Sequence, residues 1–323
     1  MPNVTLKEGA FRQATLAANI TLYWFAFVGN GLVLCTFIKY PTLRSKECLR
    51  LITGLAMFDM GSGLFSVIAL CGILLERFGY VGAYTRLECL MLSGPATVTL
   101  VGGQFMTLSI AADRFDVFRD QITYRHKNHK QYAKRSLILS STAGLFMGTV
   151  AFLGGDYDRV LPFCSGGMSF SLVFLALLTF VFVGVGLTVL ALYLASMILM
   201  KKVSKSYQSG VAKDRALERQ FKVTKTISTV LSCYGLFWIA PLFLYMGVHA
   251  AQVSGVVTQL FESISEMGVS FNCSLNVLIY AAKYDAVSEH MKALLTGKKM
   301  NVIQPTSRIG GQNVRISQQT SRL

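Results

Sequence analysis

Charge is scarce in this sequence, and acidic residues are the scarcer kind. Only 15% of the 323 residues are charged, with 16 Asp and Glu against 31 Lys and Arg, whereas 53% are hydrophobic. An ordinary soluble domain is about 25% charged and about 45–50% apolar, so this composition indicates a membrane protein. The sequence also lacks clusters of His, Asp or Glu at membrane depth, which argues against a membrane enzyme.

Between the few charges lie seven long apolar runs. A helix needs about 20 apolar residues to cross a bilayer. We therefore predict an all-α membrane protein, a seven-transmembrane helix bundle. The predicted spans are 17–38, 51–75, 89–112, 136–155, 169–200, 226–248 and 259–281.

The flanking segments have different compositions. Residues 1–16 are polar and predict an extracellular tail before a bundle that covers 17–283. Residues 284–296 are amphipathic and predict a short eighth helix on the inner leaflet. The polar segment 297–323 predicts a disordered cytoplasmic tail.

Basic residues give the predicted orientation. With the N-terminus outside, only five of the 31 Lys and Arg residues lie in outer segments, as the positive-inside rule requires. The net charge of +15 therefore indicates contact with anionic membrane lipids, and no motif for nucleic acid accompanies it. Asn3 and Asn19 begin glycosylation sequons in or near the predicted outer tail.

Polar residues inside the predicted spans are candidates for function. Asp59 is the only acid in the middle of any span, and a carboxyl group at that depth needs a partner. Asn30, Asn272 and Asn276 are the expected partners, together with a cation or a proton. The alternative is a neutral carboxylic acid that only joins helices.

Asp113, Arg114 and Phe115 stand where the third span meets a basic loop. An ion pair at this depth predicts a switch that an intracellular protein senses, although an interfacial anchor is equally compatible with the position. Cys89 and Cys164 both fall on the outer side, where disulfides persist, so we expect them to pair. Pro241 predicts a kink in the sixth span, with Trp238 beside it as a packing toggle or as core bulk.

The ordered set of motifs resembles the rhodopsin-like family of G-protein-coupled receptors. The matching features are Gly29-Asn30, Leu55-Ala56 with Asp59, Cys89, Asp113-Arg114-Phe115, Cys164 and Asn276-Val277-Leu278-Ile279-Tyr280.

Some positions depart from the family pattern. Phe115 replaces a Tyr, Val277 replaces a Pro, and Trp238 precedes Pro241 by three residues instead of two. The family often holds a sodium ion near the equivalent of Asp59 with help from a Ser, and Gly103 lies near that place. These departures, with Leu43-Arg44-Ser45-Lys46, resemble nematode serpentine chemoreceptors of the sx class.

The resemblance implies a receptor in the plasma membrane, for example in sensory neuron cilia, and not an enzyme. Its partners would be an extracellular ligand, a heterotrimeric G protein and arrestin at the tail. On activation Arg114 would leave Asp113 and reach Tyr193, Tyr280 and the G protein. Because the sixth span carries no acid from Phe221 onward, we expect a weakly held resting state.

The ligand pocket is expected around Ala96, Ile239, Glu262 and Glu266. Ala96 lies about where amine receptors carry an Asp, which argues against an amine ligand. Glu266 would either pair with a cationic ligand group or be solvated at the rim. The competing functions are a non-signalling decoy receptor and a small-solute transporter, although the internal repeats of transporters are not seen.

Overall fold

The computed structural model describes residues 2–44, 47–161, 164, 169–208, 221, 224, 228–251 and 255–297, and side chains for most of them. The described chain is helical except for its loops and one isolated antiparallel bridge between Thr85 and Val160. The helices are α1 (Pro2–Lys39), α2 (Pro41–Arg44), α3 (Glu47–Arg77), α4 (Arg86–Arg119), α5 (Gln121–His126), α6 (His129–Val150), α7 (Leu172–Gln208), α8 (Ala240–Ala250), α9 (Gly255–Lys283) and α10 (Asp285–Thr296).

The seven predicted spans are all represented by helices. They correspond to α1, α3, α4, α6, α7, the helical segment that leads into α8, and α9. Within the described residues, five of these helices are long and apolar enough to cross a membrane by length and composition. The prediction of an all-α bundle of membrane-spanning helices is therefore confirmed. The segment predicted as an N-terminal tail is helical and continues into the first span.

Helix α4 is the central element and connects the two ends of the bundle. It packs against α3, α6 and α7. A capping box of Thr85 and Glu88 starts it, which satisfies backbone N–H groups that have no partner within the helix. Cys89 lies in its first turns and Arg114 near its last. We call these the disulfide end and the basic end of the bundle.

A loop covers the disulfide end. Cys89 and Cys164 form the expected disulfide. The loop also pairs with the segment before α4, since the Arg86 N–H donates to the Arg159 carbonyl at 2.8 Å and the Leu161 N–H donates to the Tyr84 carbonyl at 2.9 Å. These two bonds flank the isolated bridge between Thr85 and Val160 and hold the loop against the start of α4.

The sixth span contains a π-helical turn at Gly235–Ile239. The Ala240 N–H donates to the Gly235 carbonyl, five residues back, so the turn holds one residue more than an α-turn would. This extra residue accounts for the three-residue step from Trp238 to Pro241. The irregularity at the predicted kink is therefore a π-turn followed by the proline, which lies in the first turn of α8.

Candidate functional site

The polar residues predicted for the membrane interior form two linked contacts. The Asn276 amide donates to an Asp59 carboxylate oxygen at 2.7 Å. The Asn30 amide donates to the Cys273 carbonyl at 3.2 Å and to Ala26 of its own helix. Both contacts join α9 to another helix, and all three polar side chains are buried. Asn276 of α9 thus bonds Asp59, and Asn30 bonds the backbone of α9. Three of the four predicted network residues therefore lie in contacts between α9 and another helix.

The fourth network residue, Asn272, lines a cavity beside Asp59. The cavity volume is about 20 Å³, enough for about one water molecule. The Asn272 side-chain oxygen is buried and has no hydrogen-bond partner among the described residues. A polar wall of this kind suits a bridging water between Asn272 and Asp59.

The cavity wall bears on the sodium ion that the family often holds. A hard cation is usually held by about six oxygens. Asp59, Ser62 and Asn272 line the wall and carry oxygens, whereas Gly103 supplies no side-chain oxygen and Cys273 supplies only a soft thiol. Gly103 in the place of the family's Ser is thus what argues against a sodium ion at Asp59.

A buried hydrogen bond that the sequence analysis missed crosses the same cavity. The Tyr234 hydroxyl donates to the Gln104 side-chain oxygen, and both residues are 2% exposed. Tyr234 also stacks on Trp238, and Phe182 contacts the other side of the indole edge to face. Trp238 of the sixth span therefore contacts Phe182 of α7 and Tyr234 of its own span. Tyr234 in turn bonds Gln104 of α4. An isolated Gln within an apolar run was the available signal for this contact.

Asn19 lies in a polar contact between α1 and α9. Its side-chain oxygen accepts a hydrogen bond from the Ser270 hydroxyl at 3.0 Å, and the residue is 2% exposed. Ser274 donates to the Leu22 carbonyl one turn away. A glycan on this buried amide would have no room, which argues against modification of Asn19; glycosylation at either sequon stays a prediction. The Asn3 side chain lies outside the described ones.

At the basic end, Arg114 and Asp113 form the predicted ion pair. Both side chains are 2% exposed, so the pair is not an anchor in the lipid headgroups. The Arg114 guanidinium also donates to the Tyr124 hydroxyl at 3.1 Å, and that hydroxyl donates to Asp113 at 3.3 Å. Tyr124 thus completes a three-residue contact that the sequence analysis missed, since its loop position gave no distance to Arg114.

Helix capping places Tyr124 beneath Arg114. Asp120 ends α4 and caps α5, accepting from the Thr123 hydroxyl at 2.6 Å and from the backbone N–H groups of Ile122 and Thr123. The Thr123 side chain and backbone lower the pKa of the exposed Asp120 carboxyl, because these bonds favour its charged form. The cap is therefore retained until the pH falls through that lowered pKa.

The other predicted switch residues do not converge on Arg114 in this structure. The Tyr193 hydroxyl pairs with Ser232 of the sixth span at 3.1 Å. The Tyr280 hydroxyl is buried without a hydrogen-bond partner among the described residues. The ring of Phe115 lies 5.9 Å from the Arg119 guanidinium, on the half-buried side of α4. In the described part of the chain, the Tyr193 hydroxyl is thus bonded to the sixth span, and the Tyr280 hydroxyl is bonded neither to Arg114 nor to any other group.

The predicted ligand-pocket residues lie on three helical segments. Ala96 is buried within α4, and Ile239 packs in the apolar cluster that contains Trp238. Glu266 is exposed on α9, and the Glu262 side chain lies outside the described ones. Ala96, Ile239 and Glu266 are not among the residues that line the cavity beside Asp59. A ligand pocket formed by these residues stays a prediction.

A comparison with known protein families identifies the family of this chain. The family model for the 7 transmembrane receptor (rhodopsin family) matches residues 29–280. A search of curated proteins finds no match to the chain. The family match spans from the start of the Gly29-Asn30 motif to Tyr280, and so includes both the polar network and the ion pair. The chain therefore belongs to the rhodopsin family of seven-transmembrane receptors.

Proposed function

We propose that this chain is a G-protein-coupled receptor of the plasma membrane, with its N-terminus extracellular. It senses an extracellular chemical ligand, a small chemosensory molecule or a neuropeptide, and it activates a heterotrimeric G protein at the basic end. The observation that carries the proposal is the buried Asp113–Arg114 pair. A buried ion pair is costly unless its charges are well paired, and here it lies in the last two turns of α4, which ends at Arg119.

The contact between α4 and the foot of the sixth span is aromatic. The rings of Phe118 and Phe221 stack with centroids 5.7 Å apart and planes 21° apart. Such a pair contributes about 0.5–1.5 kcal/mol beyond its burial. The expectation of a weakly held resting state was based on the lack of an acid in the sixth span from Phe221 onward. The Phe118–Phe221 stack supplies a nonionic contact at that foot of the span.

Loss of the stack is expected to raise ligand-free signalling. The Phe221→Ala variant should increase nucleotide exchange on a panel of purified heterotrimers, because the sixth span is then held less firmly to α4. Leu244→Ala, at an exposed apolar residue of the same span outside the π-turn, serves as the control. Adding Arg114→Ala should remove the increase.

Two results would contradict the proposal. If neither the wild type nor Phe221→Ala stimulates exchange on any heterotrimer, the chain is a decoy receptor, as the departures at Phe115 and Val277 would then explain. If exchange persists with Arg114→Ala, the buried pair is not the contact that the G protein senses. Arrestin binding at the tail involves residues outside the described ones and remains a prediction, as does a location in sensory cilia.

A further inference from the structure

We propose that Lys127 is the counter-ion that stays with Asp113 when Arg114 leaves it. The loop between α5 and α6, which carries Lys127, thereby sets the free energy of separating Arg114 from Asp113. This inference rests on the proposed function. It assigns a positioning role to a residue that lies outside the Asp113-Arg114-Phe115 motif.

Lys127 occupies a cage of two carboxylates and two aromatic rings. Its ammonium nitrogen is 2.9 Å from an Asp116 oxygen and 3.5 Å from the Asp113 oxygen Oδ1. The same nitrogen lies 3.5 Å from the centre of the Tyr132 ring and 5.7 Å from that of Tyr124. A cation over an aromatic face is attracted by the ring, so four groups hold this charge in place.

The backbone of Lys127 is fixed independently of its side chain. Lys127 is the C-cap of α5, and its N–H donates to the Tyr124 carbonyl at 3.2 Å. The next residue, Asn128, is the N-cap of α6 and accepts from the Gln131 N–H at 3.1 Å. Two consecutive caps therefore place the lysine beneath the end of α4.

The energetic need for such a cation follows from burial. Asp113 is 2% exposed, and removing one partner of a buried ion pair is strongly unfavourable because it leaves an uncompensated charge. If Arg114 moves toward a G protein, the Tyr124 hydroxyl can still donate to Asp113, but it carries no charge. Lys127 supplies the charge, because it already lies 3.5 Å from the carboxylate.

An ordinary surface ion pair would have little effect here. Exposed pairs contribute little to stability, and Asp116 is 46% exposed. The contact with Asp113 differs, because Lys127 is only 19% exposed on its side chain and the carboxylate is buried. The functional partner of Lys127 is thus Asp113, and Asp116 orients the lysine.

The test is ligand-free nucleotide exchange with purified receptor in lipid nanodiscs, in the wild type and in the Phe221→Ala background. Lys127→Met keeps an apolar stem over the Tyr132 ring and removes the charge. It should lower exchange by about tenfold, which corresponds to about 1.4 kcal/mol, and Lys127→Arg should restore it. Lys130→Met, an exposed neighbour in α6, should leave exchange unchanged.

The Asp113→Asn background separates a positioning role from a structural one. With no charge at Asp113, Lys127→Met should no longer lower exchange. The proposal is overturned if Lys127→Met lowers exchange equally in that background, raises it, or has no effect in either of the other two backgrounds. Lys127 can also be dimethylated with carbon-13, and its NMR signal is then the one that is lost in Lys127→Arg. If that signal shows no ring-current shift from Tyr132, the proposal is also overturned.

The two failures are distinguishable. If no variant stimulates exchange on any heterotrimer, the proposed function fails, and the role of Lys127 fails with it. If exchange is measured and only the Lys127 pattern is missing, the receptor function stands without this inference.

Discussion

At the residue scale, buried polar side chains hold the helices of this receptor together. In hydrocarbon, helices gain no hydrophobic energy by associating, so packing and hydrogen bonds between helices carry specificity. Gln104 with Tyr234, Asp59 with Asn276, and Asn19 with Ser270 each join two different helices. Two of these three contacts include α9, which therefore depends on polar as well as apolar packing.

The Gln104 contact predicts a measurable loss of stability. Tyr234→Phe keeps the ring against Trp238 but leaves the Gln104 oxygen without its donor. We expect a loss of roughly 0.5–2 kcal/mol, measured as a lower thermal unfolding midpoint in detergent. The same change at Tyr80, which is 79% exposed, should leave the midpoint unchanged. Equal midpoints for the two variants would show that the hydrogen bond does not stabilise the fold.

The burial of Asn19 predicts that a single sequon is used. The Asn3→Gln variant should show no mobility shift on treatment with an endoglycosidase, because the remaining sequon in the first helix is buried against Ser270. The wild type and Asn19→Gln should shift alike. A shift that survives in Asn3→Gln and disappears in Asn19→Gln would mean that α1 is positioned differently from the structure described here.

At the element scale, the π-turn of the sixth span fits closely against α9. A Cβ atom on Gly268 would overlap the Phe237 carbonyl oxygen within the π-turn, so the two backbones meet where only glycine leaves room. π-turns are frequent at functional sites. Here the turn contains Trp238 and packs against the helix that carries Asn276.

A methyl group at Gly268 should disturb this contact. Gly268→Ala is expected to cost about 1–3 kcal/mol through overpacking, seen as a lower unfolding midpoint. Gly247 lies in α8 with open space around it, so Gly247→Ala is the matched control and should be neutral or slightly stabilising. If both variants behave alike, the close approach of the two backbones is wrong.

At the scale of the whole molecule, the two ends of the bundle differ in chemistry. The disulfide end is covered by a loop that is paired with the start of α4. The basic end holds a buried ion pair, a tyrosine and a caged lysine. In the proposed function, the disulfide end faces the oxidising exterior and the basic end faces the cytosol.

This orientation predicts that the two chain termini lie on opposite sides of the membrane. A tag at the N-terminus should bind antibody on intact cells, and a tag at the C-terminus should bind it only after permeabilisation. The positive-inside bias of the loops is the physical reason. Detection of both tags on intact cells would contradict the seven-span topology and the receptor function together.

The sequence by itself determined the class of protein, the spans and the family motifs. Hydropathy and the bias of Lys and Arg are sums over local composition, so no knowledge of packing is needed to find a helix or its predicted orientation. Cys89, Asp113 and Arg114 were identified in the same way, since each lies at the boundary of an apolar run. The three-residue step from Trp238 to Pro241 was visible, but its meaning as a π-turn was not.

Tertiary structure alone decided which polar residues meet. Each residue of an α-helix turns the side-chain direction by about 100°, so a partner on another helix depends on rotations and depths that one chain segment does not encode. The contacts of Gln104 with Tyr234, Asn19 with Ser270, and Lys127 with Asp113 each required two elements to be placed together. For the same reason the sequence could not settle whether Ala96, Ile239 and Glu266, which all lie toward one predicted end, share a pocket.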